Sequence, residues 1–272
     1  MSAFKTETPN LKFNHLAENQ QSAVKKLACK IHSLLSKDRN ETLITDRVMF
    51  LSGKRGTGKT SVLKALQNTI ESNQKETYNS DELQNLVNEK QNLIWLELLD
   101  LDPLPSTSNL LVSILLRIQT AIGRCSQQSR GMLDPCTEKE EIANEIRRLV
   151  TDFTIAWEGN LQSRQGNIDP DTFALEVRRA ESARLKMYDL FSNLLNKVRD
   201  HIKTMNQYET DDGNANRILF VLPVDDFDLN PKLSLELLKL IRMISVPGFC
   251  TLLSGDLEIA EEMFDQKVAG DL

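Results

Sequence analysis

Cysteine and histidine are scarce in this 272-residue chain: there are four cysteines, no two of them spaced as C-x-x-C, and three histidines. A zinc site or a secreted disulfide framework lacks its raw material, so Cys29, Cys125, Cys136 and Cys250 read as reduced thiols. Long apolar runs are missing as well. The longest candidate, Leu110 to Ile122, is interrupted by Ser113, Arg117, Gln119 and Thr120, well short of the ~18 apolar residues of a membrane span. The opening MSAFKTETPNLKFN has no apolar signal-peptide core. An excess of basic charge is also absent: 33 Lys and Arg stand against 39 Asp and Glu, a net charge of −6. That balance argues against a protein coated overall in nucleic acid, while leaving room for local basic patches. The expectation is a soluble cytoplasmic protein with no membrane segment. Its 40% hydrophobic residues suffice for a sizeable core without metal or disulfides.

What the chain does have is concentrated in one segment. Val48-Met49-Phe50-Leu51-Ser52 reads as a short buried strand, and the next eight residues, GKRGTGKT from Gly53 to Thr60, fit G-x-x-x-x-G-K-[ST]. The following Ser61–Leu66 has helical spacing, with Val62, Leu63 and Leu66 on one face. A glycine-rich hairpin turn is the alternative, and the strand and helix on either side argue against it. Gly53, Gly56 and Gly58 let the backbone turn sharply and aim N–H groups at phosphate oxygens. The helix start at Ser61 adds unpaired N–H groups and a positive dipole end. Lys59 supplies an ammonium for the β- and γ-phosphates, and the Thr60 hydroxyl suits Mg²⁺. The expected nucleotide-binding set is Gly53, Gly56, Thr57, Gly58, Lys59, Thr60 and Ser61, with ATP and Mg²⁺ as ligands. No Asn/Thr-Lys-x-Asp element for reading guanine is evident, which favours ATP over GTP.

A second segment supplies the matching acids. Arg217–Asp226, RILFVLPVDD, is an apolar run ending in two carboxylates, and reads as a buried parallel strand with its acids at the C-terminal edge. Asp225 is the expected Mg²⁺ partner, and Asp226 the residue that orients or deprotonates an attacking water. Pro223 cannot donate to a ladder, so a bulge or a missing partner is expected beside it. Asp226 stands where many such ATPases carry Glu and reaches one methylene less far, which predicts slow turnover unless a neighbouring subunit completes the site.

After Asp225-Asp226-Phe227-Asp228-Leu229-Asn230-Pro231 comes a leucine-rich helix over Leu233–Ile244, with Asn230 as N-cap and Pro231 as first helical residue. Pro247-Gly248 breaks the chain, and Phe249–Asp256, FCTLLSGD, reads as another strand ending in polar residues. This pattern resembles the KAP and STAND branches of the P-loop ATPases, within the wider AAA+-like (ASCE) group. Prokaryotic antiviral-defence ATPases, including the ATPase subunit of the RADAR system, use this kind of core. Leu229 stands where KAP proteins commonly carry Arg. The resemblance implies a parallel P-loop NTPase sheet with flanking helices, and an ATPase whose states drive conformational switching or assembly. It also implies a homo-oligomer, a ring among the options, with a protein partner or effector. By the same resemblance, Ser254 or Asp256 would sense the γ-phosphate, while a polar end to a core strand explains them equally well. A nucleotide-dependent scaffold and a nucleic-acid loader are the competing functions.

Along the rest of the chain, residues 1–14 read as a flexible arm and His15–Leu35 as an amphipathic helix. A short helix is expected near Asp81–Asn88, a strand over Leu93–Leu99, and a helix over Ser108–Ile122. Asp100 and Asp102 would face the same way if the strand persists; they would approach the metal or serve as caps and solvated turns. Apolar steps of three and four over Glu138–Leu161 and Thr172–Met205, with a turn at Gln165–Pro170, predict a long helical hairpin inserted at about 136–206. Eleven basic residues against twelve acidic ones between Cys136 and Met205 do not indicate a DNA-gripping arm. The pairs Arg147-Arg148 and Arg178-Arg179 read more simply as solvated helix faces than as phosphate contacts or trans-acting groups. Gln207–Asn216 reads as a mobile loop. With four strands named, a final strand and a helical lid are missing, so the chain is expected to be the N-terminal part of a longer protein.

Overall fold

Unbroken runs of Leu, Val, Ile and Phe suit strands covered on both faces; the runs at 219–225 and 249–255 form strands buried at every position, whereas the strand expected to be buried at Val48–Ser52 forms but is fully buried only at Met49. The computed structural model describes residues 12–36, 43–71, 80–128, 142–148, 169–206 and 218–270. Five strands make one sheet: β1 (Val48–Ser52), β2 (Leu93–Trp95), β3 (Leu99–Asp100), β4 (Leu219–Asp225) and β5 (Phe249–Gly255). Their order is β1-β5-β4-β2, with β3 also on β4, and the β1–β5, β2–β4 and β3–β4 ladders are parallel. The helices are α1 (Glu18–Ser36), α2 (Lys59–Glu71), α3 (Asp81–Asn88), α4 (Leu110–Gln128), α5 (Pro170–Asn206), α6 (Pro231–Ile244) and α7 (Leu257–Gly270). Residues 142–148 are helical too. The fold is therefore mixed α/β with a mostly parallel sheet and flanking helices. Among the described residues no helix is long and apolar enough to cross a membrane.

Two compact units divide the chain. One takes in Met1–Leu104, Arg217–Ser234 and Cys250–Leu272; the other takes in Pro105–Asn216 and Leu235–Phe249. The second unit is thus wider than the insertion expected at about 136–206, because α4 and most of α6 belong with it.

In the first unit, α1 packs on α2 and α3. Val24, Ala28, Ile31 and Leu35, spaced by three and four along α1, are buried together with Leu63 and Leu66 of α2 and Leu83 and Leu86 of α3. Alternate strand residues, Leu219 and Val221 of β4 and Cys250 and Leu252 of β5, share this core. Burial pushes the Cys250 thiol up to about 12, so it packs as an unreactive small apolar group. The flexible-arm reading of 1–14 needs correction at its end. Phe13 opens a 3-10 turn (Phe13–His15) and is buried in this core, and α1 proper begins at Glu18. A single aromatic next to a polar stretch gave no periodicity to read. Phe13→Ala is expected to cost about 3 kcal/mol; an unchanged urea midpoint would return Phe13 to solvent. Residues 1–11 lie outside the described set.

The strand expected over Leu93–Leu99 is broken in two. Trp95 aligns with Val221 and Leu99 with Val224, so three residues on one side, 96–98, match two on the other, 222–223. Val221 O accepts from Leu96 N and Asp225 O from Leu101 N, so alternate β4 residues turn their polar groups to this edge. Pro223 is the residue between them and has no N–H to offer. The expected bulge lies opposite it.

In the second unit, α4 packs on α5. Leu111, Ile114, Leu115 and Ile118 of α4 are buried, as are Met187, Phe191, Leu194, Val198 and Ile202 of α5. Phe191 meets Phe249 edge-on at 5.2 Å. The buried Arg199 donates to Asn196 Oδ1 and to Pro247 O, each at 2.6 Å, which ties α5 to the Pro247-Gly248 turn. Asp169 caps α5 by accepting from Thr172 N at 3.1 Å, and Pro170 is its first residue, two earlier than the periodicity starts. Only 142–148 of the first hairpin arm is described; there Ile142 and Ile146 are buried and Glu145 pairs with Lys197 at 2.6 Å. Arg147, Arg148 and Arg178 are exposed. The rest of that arm, most of the turn at 165–170, and 207–216 lie outside the described residues.

Candidate functional site

The glycine segment forms a tight loop between β1 and α2. Thr57 donates from its N–H (3.2 Å) and its hydroxyl (2.8 Å) to Lys54 O, closing the turn. Gly56 and Gly58 have φ of +82° and +83°, a region that side chains rarely tolerate. Lys59 is the first residue of α2, and its Nζ reaches back to donate to Gly53 O at 2.6 Å and Lys54 O at 3.3 Å. Gly53 N donates to Gly255 O at 3.1 Å, tying the loop to the end of β5. Ser61 lies in the first turn of α2, part-buried.

β5 runs between β1 and β4, so the loop, Ser254 and Asp225 reach the same C-terminal edge of the sheet. Asp225 is 2% exposed. The Thr60 hydroxyl donates to its Oδ2 at 2.5 Å, and the Ser254 hydroxyl donates to its Oδ1. The two expected metal partners are therefore in direct contact, and Ser254, one of the two sensor candidates, touches Asp225. Asp256 does something else: its Oδ1 accepts from Glu258 N at 3.1 Å, capping α7.

Asp226 alone among the described non-glycine residues has positive φ, +52°. Aspartate tolerates this left-handed conformation better than most residues. The strand ends on Asp225, and the turn is held by Phe227 N on Ser254 O and Leu229 N on Asp226 O. Asn230 caps α6 as expected, and its Nδ2 also donates to Leu101 O and Leu104 O, fastening the turns after β3 and β4 together. Asp228 is buried, and its Oδ1 has no hydrogen-bond partner among the described residues.

Acids crowd this edge. Asp100 aligns with Asp225 across the β3–β4 ladder. Burial, and next the charges of Asp225, Asp100, Asp102 and Asp228, raise the Asp226 carboxyl above its ordinary value. Burial is also the main cause raising Asp100, aided by Asp225 and Asp102 and opposed by the Asp102 N–H and Lys64. A raised folded-state value means that ionised Asp226 weighs against folding at neutral pH. Asp226→Asn is expected to raise the melting temperature of the metal- and nucleotide-free chain at neutral pH. The gain fades as pH falls to about 3, where aspartate is mostly protonated folded or unfolded. A gain that persists at that pH would refute the electrostatic cause.

Among the described residues no three His, Cys, Asp or Glu side chains converge as a metal cage. One carboxylate and one hydroxyl, both hard oxygen donors, suit Mg²⁺, which keeps most of its waters and takes few protein ligands. Thr60 and Asp225 fit that demand.

One contact joins α1 to the glycine loop. Gln20, in the first turn of α1, donates from Nε2 to Thr57 O at 2.9 Å. A Gln three residues after the Ala17 cap position suggests a side chain turned back on its helix start, but nothing local indicates that the glycine loop lies there. No protein-family model matches this chain, and no curated protein matches it.

Proposed function

We propose that this chain binds Mg·ATP and hydrolyses it slowly, using the bound and released states to switch conformation or assemble copies of itself. The observation behind the reading is the 2.5 Å contact between the Thr60 hydroxyl and the Asp225 carboxylate. It joins a strand–glycine loop–helix to an acid-tipped strand 165 residues away in sequence. Backbone N–H groups of Gly56, Gly58 and Ser61 cradle the phosphates, Gly53 and Thr57 shape the loop through their N–H bonds to Gly255 O and Lys54 O, and Lys59 neutralises the β- and γ-charges. Thr60 and Asp225 hold Mg²⁺, which when bound offsets phosphate charge. Asp226 orients a water toward the γ-phosphorus and takes its proton. Ser254 holds the far oxygen of Asp225, so a shift of Asp225 on phosphate loss would reach β5 through it. Calorimetric titration of Mg·ATP into the chain tests the reading; absence of binding counts against it.

A second reading, a nucleotide-dependent scaffold without useful turnover, draws on the raised Asp226 carboxyl. A base that is half-buried and crowded by four other acids loses its proton-accepting form earlier as pH falls, and a side chain one methylene shorter than Glu reaches less far toward the water. Phosphate release by the assembled protein separates the two readings.

A further inference from the structure

We propose that Gln20 is a positioning residue for nucleotide phosphate: it holds the Thr57–Gly58 peptide so that the Gly58 N–H points away from α1. The inference rests on the ATP-binding reading above. Three observations carry it. Gln20 Nε2 donates to Thr57 O at 2.9 Å. That peptide is trans, as there is no cis bond among the described residues, so its C=O and N–H point in opposite directions across one plane. Fixing the carbonyl toward α1 therefore aims the Gly58 N–H to the opposite side.

The space around Gly58 agrees. A Cβ built there would lie 2.1 Å from Gln20 Nε2. The carboxamide occupies the room a side chain would need, so Gly58 serves both its own φ of +83° and the approach of Gln20.

Gln20 is itself held. Its Oε1 accepts from Ala17 N at 3.1 Å, the back-reaching half of a capping box, and its own N–H donates to Asn19 Oδ1 at 2.9 Å. The carboxamide thus spans from the cap of α1 to the loop with one end on each. An oriented N–H binds an anion without first reorganising, and that is where its contribution to affinity lies.

Two substitutions isolate the donor. Gln20→Glu keeps an acceptor for Ala17 N–H and loses the donor, while adding a charge. Gln20→Met adds no charge but loses both acceptor and donor. Only loss of the donor is common to both. By calorimetry with the full chain, each is expected to bind Mg·ATP and Mg·ADP about tenfold more weakly, the effect of one charge-assisted hydrogen bond. The melting temperature of Gln20→Glu should stay at the wild-type value. The Gly58 amide resonance should move in both variants, which a role in capping α1 alone would not produce. Wild-type affinity in Gln20→Met would overturn the inference, as would weakening confined to Gln20→Met in step with a lower melting temperature. Lys59→Ala run alongside keeps two failures apart. If it loses ATP while Gln20→Met does not, the Gln20 role falls; if wild type itself binds no Mg·ATP, the ATP-binding reading falls and the Gln20 role with it.

Discussion

Lys59→Ala should weaken Mg·ATP binding by about a hundredfold or more, the loss of an ammonium from charge-assisted contacts with two phosphates. The fold should survive. Among the described residues the Lys59 ammonium donates to Gly53 O and Lys54 O of the loop, while the buried face of α2 is built by Val62, Leu63, Ala65 and Leu66. The measurement is calorimetry with the melting temperature recorded beside it. Unchanged affinity in a protein that binds ATP would remove Lys59 from the site. Lost affinity together with a collapsed melting temperature would mean that the lysine holds the loop and not the nucleotide.

Asp226→Asn should leave ATP bound and slow its turnover by about a hundredfold, the lower end of what a positioned base contributes. Asparagine suits the +52° backbone of Asp226 as well as aspartate does, so the turn that aims the side chain is retained and only the proton acceptor is lost. Single-turnover phosphate release, with retained nucleotide counted after gel filtration, reads the effect. Turnover at the wild-type rate would strip Asp226 of the catalytic role. Combined with the expected gain in melting temperature, a slower yet more stable protein would mark Asp226 as a residue kept for chemistry at the expense of the fold.

How much of this could be read in advance follows from the range of the forces involved. Asn230 and Pro231 announce the start of α6 because capping acts within four residues, and α3 forms where a short helix is expected near Asp81–Asn88. β1, the loop and α2 were equally local. Pro223 could be recognised as a fault in the ladder because the defect is intrinsic to proline. The order of the strands was not legible: nothing in FCTLLSG says that β5 enters between β1 and β4. Nor was the burial of Phe13, the left-handed turn at Asp226, or the reach of Gln20 to Thr57, 37 residues along the chain. Each of these is decided by what lies across a gap in space, and hydrophobic periodicity does not record it. The association of α4 with α5, which makes the second unit wider than 136–206, is likewise a matter of tertiary packing.

The imino ring of Pro223 has a consequence beyond its own position. Were β2 to continue past Trp95 without interruption, Leu99 would stand across from Asp225; the one-residue slip sets Asp100 there instead. The slip opposite this ring thus sets a second carboxylate, in place of hydrocarbon, beside the acid at the strand tip, and so strengthens the pull of that corner of the molecule on a cation.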